Sequence, residues 1–270
     1  MPETAVGGAI PIGSWELGLA TVFVLVAAAL SLRMGLKLER DLAIAMVRTY
    51  LQLFALGFVL RWVFVNQSWP VVLALLGVMV VAAARVVLRR AGNAPPGVFG
   101  SSVVAMALTG FTVTFAVTAL IIRVPVWYEA RYVLPIAGMV IGNSMTGIAL
   151  AVERLFADLD ARSAEILGLA ALGATVWECA RPSIRTALTA GLVPTINAMA
   201  AAGVVFIPGM MTGQVLAGAD PIDAAKYQIV VMLMIAAATA VGAIASVMLM
   251  YRKRFTDDGV YLEKGLRDAG

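Results

Sequence analysis

Asn143, Ser144 and Thr146 crowd together inside the otherwise apolar stretch LPIAGMVIGNSMTGIAL, residues 134–150. Amide and hydroxyl oxygens at membrane depth are costly, and they hydrogen-bond a neighbouring helix or line a polar path. A second set recurs in LVPTIN, where Asn197 follows Thr195. A third lies in MVRTYLQLFALG: Arg48 and Gln52 stand four residues apart, on one face of a helix. Arg48 either joins such a path or snorkels to the interface. The last set is the stretch GVVFIPGMMTGQ, which starts as a helix and meets Pro208, Gly209, Met210, Met211 and Gln214. Proline removes a backbone donor and disfavours helical geometry at Ile207. Irregular backbone at membrane depth is tolerated only where protein buries it or a wet cavity lines it. The expected break over Pro208–Gly213 is therefore a candidate gate or solute-contacting element, or a kink near the interface. The thioethers of Met210 and Met211 either pack or meet a soft metal; which metal, if any, the sequence leaves unknown.

The elements that must hold these groups are membrane helices. Of 270 residues, 61% are hydrophobic and only 13% are charged, and the mean hydropathy is +0.94. Such a balance belongs to an integral membrane protein. Runs of ~20 apolar residues predict an all-α polytopic fold with about seven spans: 15–32, 44–65, 69–88, 100–122, 132–152, 192–217 and 227–250. The whole chain, 1–270, reads as a single transmembrane domain. Basic residues cluster after spans one, three, five and seven, as in Arg33, Lys37 and Arg40 or Arg252, Lys253 and Arg254. The positive-inside rule then puts the N-terminus outside and the C-terminus inside. The net charge of +4 resides in these short loops and does not suggest nucleic acid; membrane lipid is the expected surrounding. The opening residues MPETAVGGAIPIGSWE lack the basic region of a cleaved signal peptide.

Several chemistries are missing. There is no histidine and one cysteine, Cys179, so neither a His/Cys metal centre nor an intrachain disulfide is expected. No Asp or Glu falls in mid-span, where an ion-coupled carrier usually keeps one. No GxxxxGK[ST] loop is present. The acid pairs Asp158/Asp160 and Asp257/Asp258 sit in charge-mixed stretches and read as solvated. A membrane scaffold powered by another subunit fits best, with an ion-coupled carrier or channel as the alternative. The longest polar connection, 153–191, reads as helix, turn at Gly173 and helix, with Pro182 near a helix start. On the orientation above it lies in the cytoplasm.

The segments RTYLQL (48–53), LPIAGMVIGNSMTG (134–147), LGAT (172–175), LVPTIN (192–197), IPGMMTGQVLAGADP (207–221) and KYQIVV (226–231) resemble the FetB family of ABC transporter permeases. That family includes plant aluminium-tolerance half-transporters. The resemblance runs from span two to span seven. It implies a homodimeric permease in the bacterial cytoplasmic membrane, with a separate ABC ATPase subunit that carries ATP and Mg²⁺. This chain itself would hold no cofactor and catalyse no reaction. Bacterial members imply iron export, plant members nucleotide sugars. Residues 163–190 also resemble the loop by which ABC permeases dock into their ATPase. Gly173 and Ala174 match its turn, while Leu167 stands where that loop carries an acid, with Glu165 the nearest one. Glu165, Glu178, Arg181 and Arg185 are then expected contacts of the ATPase. Arg48, Gln52, Asn143, Ser144, Thr146, Asn197, Pro208, Gly209, Met210, Met211 and Gln214 are expected along the pathway.

Overall fold

A computed structural model describes residues 12–92, 95, 97–256 and 258–262. Residues 1–11 of the N-terminal stretch read for a signal peptide, and Asp257, lie outside the described residues. Nine α-helices account for most of the described chain: α1 (Ser14–Met34), α2 (Glu39–Asn66), α3 (Trp69–Arg90), α4 (Val98–Ala116), α5 (Ala130–Ala161), α6 (Ser163–Ala171), α7 (Val176–Ala201), α8 (Gly209–Leu216) and α9 (Pro221–Met250). A π-helical stretch, Val117–Ile122, prolongs α4, and a 3₁₀ turn, Tyr251–Arg254, follows α9. Local chemistry sets the ends. Gly35 at φ 66 closes α1 by donating its N–H to the Leu32 carbonyl. Before α9, the Asp220 carboxylate accepts the N–H groups of Ile222 (2.9 Å) and Asp223 (3.2 Å), and Pro221 takes the first helical position.

Among the described residues, six helical segments are long and apolar enough to cross a membrane: α1, α2, α3, α4 with its π-helical extension, α5 and α9. They coincide with six of the seven expected spans. The seventh, 192–217, is not one helix. It comprises the end of α7, the non-helical residues 202–208, and α8.

The chain falls into two compact units. One comprises the described residues of Met1–Asn66 with Thr212–Ala224. In it α1 and α2 are joined where the Tyr50 hydroxyl donates to the Leu17 carbonyl (2.9 Å) and meets the Thr21 hydroxyl (2.8 Å). The other comprises the described residues of Gln67–Met211 with Ala225–Gly270, and it contains the core. At its centre lies α5, whose apolar stretch is 56% buried, whereas none of the corresponding stretch of α2 is buried. The bundle is drawn tight at Gly147 of α5 and Gly191 of α7. A methyl group on Gly191 would lie 2.7 Å from the Gly147 carbonyl oxygen and 2.8 Å from the Ala151 methyl. One on Gly147 would strike the Gly191 carbonyl at 2.7 Å and also the Thr239 methyl of α9. Only glycine permits this approach. By contrast, a methyl group on Gly142, Gly209 or Gly213 would meet nothing within 4 Å.

Candidate functional site

The connection at 163–190 folds as two helices around a tight turn. Arg162, at the corner between α5 and α6, clamps the Glu165 carboxylate with two N–H···O bonds of 2.9 and 2.6 Å. A third bond, 2.8 Å long, runs to the Ser183 hydroxyl on α7. The Arg162 hydrogen bond holds the Glu165 carboxyl below the usual carboxylate range. Ile166 and Cys179 are both buried and join α6 to α7. Burial pushes the Cys179 thiol up, so it stays protonated and inert. After α6 the chain turns at Gly173, φ +89, with the Gly173 N–H donating to the Ala170 carbonyl (3.0 Å) and the Ala174 N–H to that of Leu169 (3.0 Å). Then α7 opens with a reciprocal cap. The Thr175 hydroxyl accepts the Glu178 N–H, and the Glu178 carboxylate accepts the Thr175 N–H at 2.8 Å. That backbone bond, with the Thr175 hydroxyl behind it, lowers the Glu178 pKa.

The expected coupling residues are therefore brought to one rigid corner, with differing tasks. Gly173 makes the turn. Leu172 is 87% exposed at its tip. Glu165 and Glu178 are surface carboxylates already engaged within the chain, Glu178 in the helix cap. Arg181 and Arg185 are exposed one helical turn apart on α7. Pro182 is not in the first turn of a new helix but well inside α7. Thr175 and its cap hold the helix start instead.

The polar residues of α5 do not share one face. Asn143 and Thr146 are exposed on one side of α5 with Gly142, and the Asn143 amide donates to the Met139 carbonyl (2.8 Å). Ser144 faces the opposite way, fully buried, its hydroxyl satisfied by the Val140 carbonyl at 2.6 Å. Arg48 and Gln52 are exposed on α2, and Asn197 is exposed on α7.

The expected break is displaced. Helical geometry ends at Ala201, and Pro208 immediately precedes α8, so Gly209–Gln214 are helical. Gly203 at φ +80 starts the irregular stretch, its N–H donating to the Phe206 carbonyl at 2.9 Å. The β-branched pair Val204–Val205 follows, 87% and 79% exposed. Left-handed glycine, β-branched residues of low helix propensity and the pre-proline restriction on Ile207 together stop the helix earlier than proline alone would. The two methionines also part company. Met210 packs on the core cluster of Val117, Ile136, Val140, Val231, Met234 and Ala238. Met211 lines a cavity of about 350 Å³ with Met199, Gly203, Pro208, Gln228 and Met232. Sequence reading missed Met199, Gln228 and Met232. A legible signal was there, since Gln228 sits at the head of an apolar helix with Met232 one turn on. The amide of Gln214 is also buried at its oxygen, which has no hydrogen-bond partner.

Long apolar helices with polar groups set among them define a helical, multi-pass membrane protein, and the comparisons place it in a family. The chain belongs to the uncharacterised protein family UPF0014, whose family model matches residues 14–255. It is 37% identical to the UPF0014 membrane protein slr1647 of Synechocystis over 89% of this chain and 92% of that one. It is 35% identical to the protein ALUMINUM SENSITIVE 3 of Arabidopsis thaliana, covering 88% and 85%. It is 34% identical to the "Probable iron export permease protein FetB" of Escherichia coli, covering 88% and 90%. No solved structure matches. The chain is a multi-pass membrane protein of this family.

Proposed function

We propose that the chain is the membrane subunit of an ABC transporter, driven by a separate ATPase subunit that docks on the corner around Gly173. The observation that carries this reading is the corner itself. Two helices are braced by the Arg162–Glu165–Ser183 bonds and the Thr175–Glu178 cap, yet the tip presents a bare leucine, Leu172, at 87% exposure. A stiff hairpin with an apolar tip transmits a push without bending and offers a hydrophobic anchor to a partner. The N-terminus is then outside, the C-terminus and the corner are in the cytoplasm, and 192–217 supplies the seventh crossing in two pieces. The permease works as a homodimer in the cytoplasmic membrane. The fully uncovered stretch of α2, with Arg48 and Gln52 exposed upon it, supports a second copy or a polar path beside it, because lipid does not solvate a guanidinium.

Transport is outward and its cargo is iron; the similarity to the iron-export relative supports this. ATP and Mg²⁺ reside on the ATPase. Closure of the ATPases would displace the α6–α7 corner and rock α5 against α7 at their Gly147–Gly191 contact. Asn143, Thr146, Asn197 and the Gly203–Gln214 region would line the path, with Ser144 holding α5 in shape. The test is to purify the tagged chain gently from its native membrane, ask whether an ABC ATPase co-purifies, and measure vanadate-sensitive hydrolysis. Leu172→Glu should abolish co-purification while leaving a monodisperse permease. If the variant retains the ATPase, the corner is not the dock. If the wild type purifies without any ATPase and still transports along an ion gradient, the carrier reading replaces this one.

A further inference from the structure

We propose that the cavity bounded by Met199 of α7, the 202–208 connection, Met211 of α8, and Gln228 and Met232 of α9 binds a soft monovalent metal cation, Cu(I) or Ag(I). This goes beyond the permease reading and does not depend on it. Three separate helices each bring one half-buried methionine to the same 350 Å³ space. Thioethers are neutral, polarisable ligands that select Cu(I)-like ions over hard dications. Ala202, Ala225, Ile229 and Leu233 also line the space, so the three thioethers and the Gln228 amide are its metal-ligating groups.

The second, independent observation is Gln228. It is 7% exposed, it lines the cavity, and its Oε1 accepts no hydrogen bond. A buried carbonyl oxygen left without a partner costs roughly 1–3 kcal/mol, and native interiors rarely leave one so. A cation in the cavity would supply the partner. The donor set carries no formal charge, so it suits a monovalent ion and permits its release. Among the described residues no group of three or more His, Cys, Asp or Glu could hold a metal, so dications have no competing cage of that kind.

The experiment uses the full chain in detergent, with Cys179→Ser as background to remove the thiol. Cu(I) is titrated anaerobically against a chromophoric Cu(I) chelator, and Ag(I), which is redox-inert, is counted by elemental analysis after gel filtration. We expect one equivalent per chain. M211L and M232L, which conserve volume, should each weaken binding at least tenfold. M199L/M211L/M232L should abolish it, and Q228L should weaken it without loss of fold. Met234→Leu, which faces the core on the same helix, should leave binding unchanged. No binding by the background chain overturns the proposal, as does full binding by the triple variant. Fe(II) retained by the background chain and lost in the triple variant overturns the soft-cation assignment. Should the triple variant fail to fold, the single variants decide, and unchanged affinity in both refutes the site. Failure of the chain to recruit an ATPase would leave these outcomes untouched.

Discussion

A single missing methyl group decides how closely two helices meet. Gly191 stands 2.7 Å, as a hypothetical Cβ, from the Gly147 carbonyl, whereas Gly142 on the same helix as Gly147 has nothing within 4 Å. Gly191→Ala therefore forces α5 and α7 apart and should cost about 1–3 kcal/mol. Gly142→Ala should be neutral or stabilise by up to ~0.5–1 kcal/mol, because alanine is the better helix former. Thermal unfolding followed by tryptophan fluorescence separates the two, and equal melting temperatures would remove the close contact from the fold. Glu178 gives a residue-scale test of a different kind. Its carboxylate is stabilised by the Thr175 N–H and hydroxyl, so its folded pKa lies below the ordinary value of 4.5. A depressed carboxylate pKa stabilises the fold above the unfolded value and loses that contribution as pH falls through the folded one. The melting-temperature gap between wild type and Glu178→Gln should thus be widest near pH 6 and shrink below about pH 4.5. A gap that stays constant down to pH 3 would mean the cap does not bind the charged form.

Between helices, the informative element is the stretch 202–208. The left-handed Gly203 and the exposed Val204–Val205 pair interrupt the chain before the proline is reached. Pro208→Ala alone should then fail to fuse α7 with α8. A cysteine placed at Val205, in a Cys179→Ser background, should react with a water-soluble maleimide equally fast with or without Pro208→Ala. A tenfold loss of labelling on that substitution would show that proline alone holds the break. Six spans were legible because each is a long apolar run between charges or glycines, a signal that needs no tertiary information. The break was legible in kind but not in place, because proline is conspicuous while a glycine in the left-handed region is one letter among 25 glycines. Asn143, Ser144 and Thr146 were read as one cluster by adjacency, yet helical rotation turns Ser144 inward and the others outward. The Gly147–Gly191 contact was hidden for a related reason: GxxxG spacing marks glycines on one helix, while this contact pairs one glycine from each of two. The cavity methionines come from three successive helices, and only the turns between those helices bring them to one space.

Across the larger unit, the described segment after α9 is tied back to the base of α5. Arg254 is 1% exposed, pairs with Asp160 at 2.9 Å, and stacks over the Phe156 ring at 5.3 Å. The Tyr261 hydroxyl donates to the other Asp160 oxygen at 2.8 Å. Asp160 was read from sequence as a solvated acid, and this bonding corrects that reading. Its neighbours Arg254 and Tyr261 lie 94 and 101 residues away, beyond the reach of any local pattern. The segment so held borders the α6–α7 corner, since Asp258, Gly259, Val260 and Tyr261 line a groove with Leu167, Ala174 and Thr175. Removing the carboxylate takes the Asp160 ion pair from a buried guanidinium. For a fully enclosed pair that costs ~3–5 kcal/mol, but Asp160 is 33% exposed, so Asp160→Ala should cost about 2–3 kcal/mol after discounting for solvent. Tyr261→Phe removes one hydrogen bond to a charged oxygen and should cost about 1.5 kcal/mol. Both should speed limited proteolysis near residue 256 at temperatures where the bundle stays folded, with Asp160→Ala the faster. If the tail also steadies the corner, Asp160→Ala should lower ATPase stimulation by the assembled transporter more than Gly142→Ala does. Unchanged proteolysis in both variants would show that the Asp160 contacts do not fasten the tail, and unchanged stimulation with faster proteolysis would separate the tail from the corner.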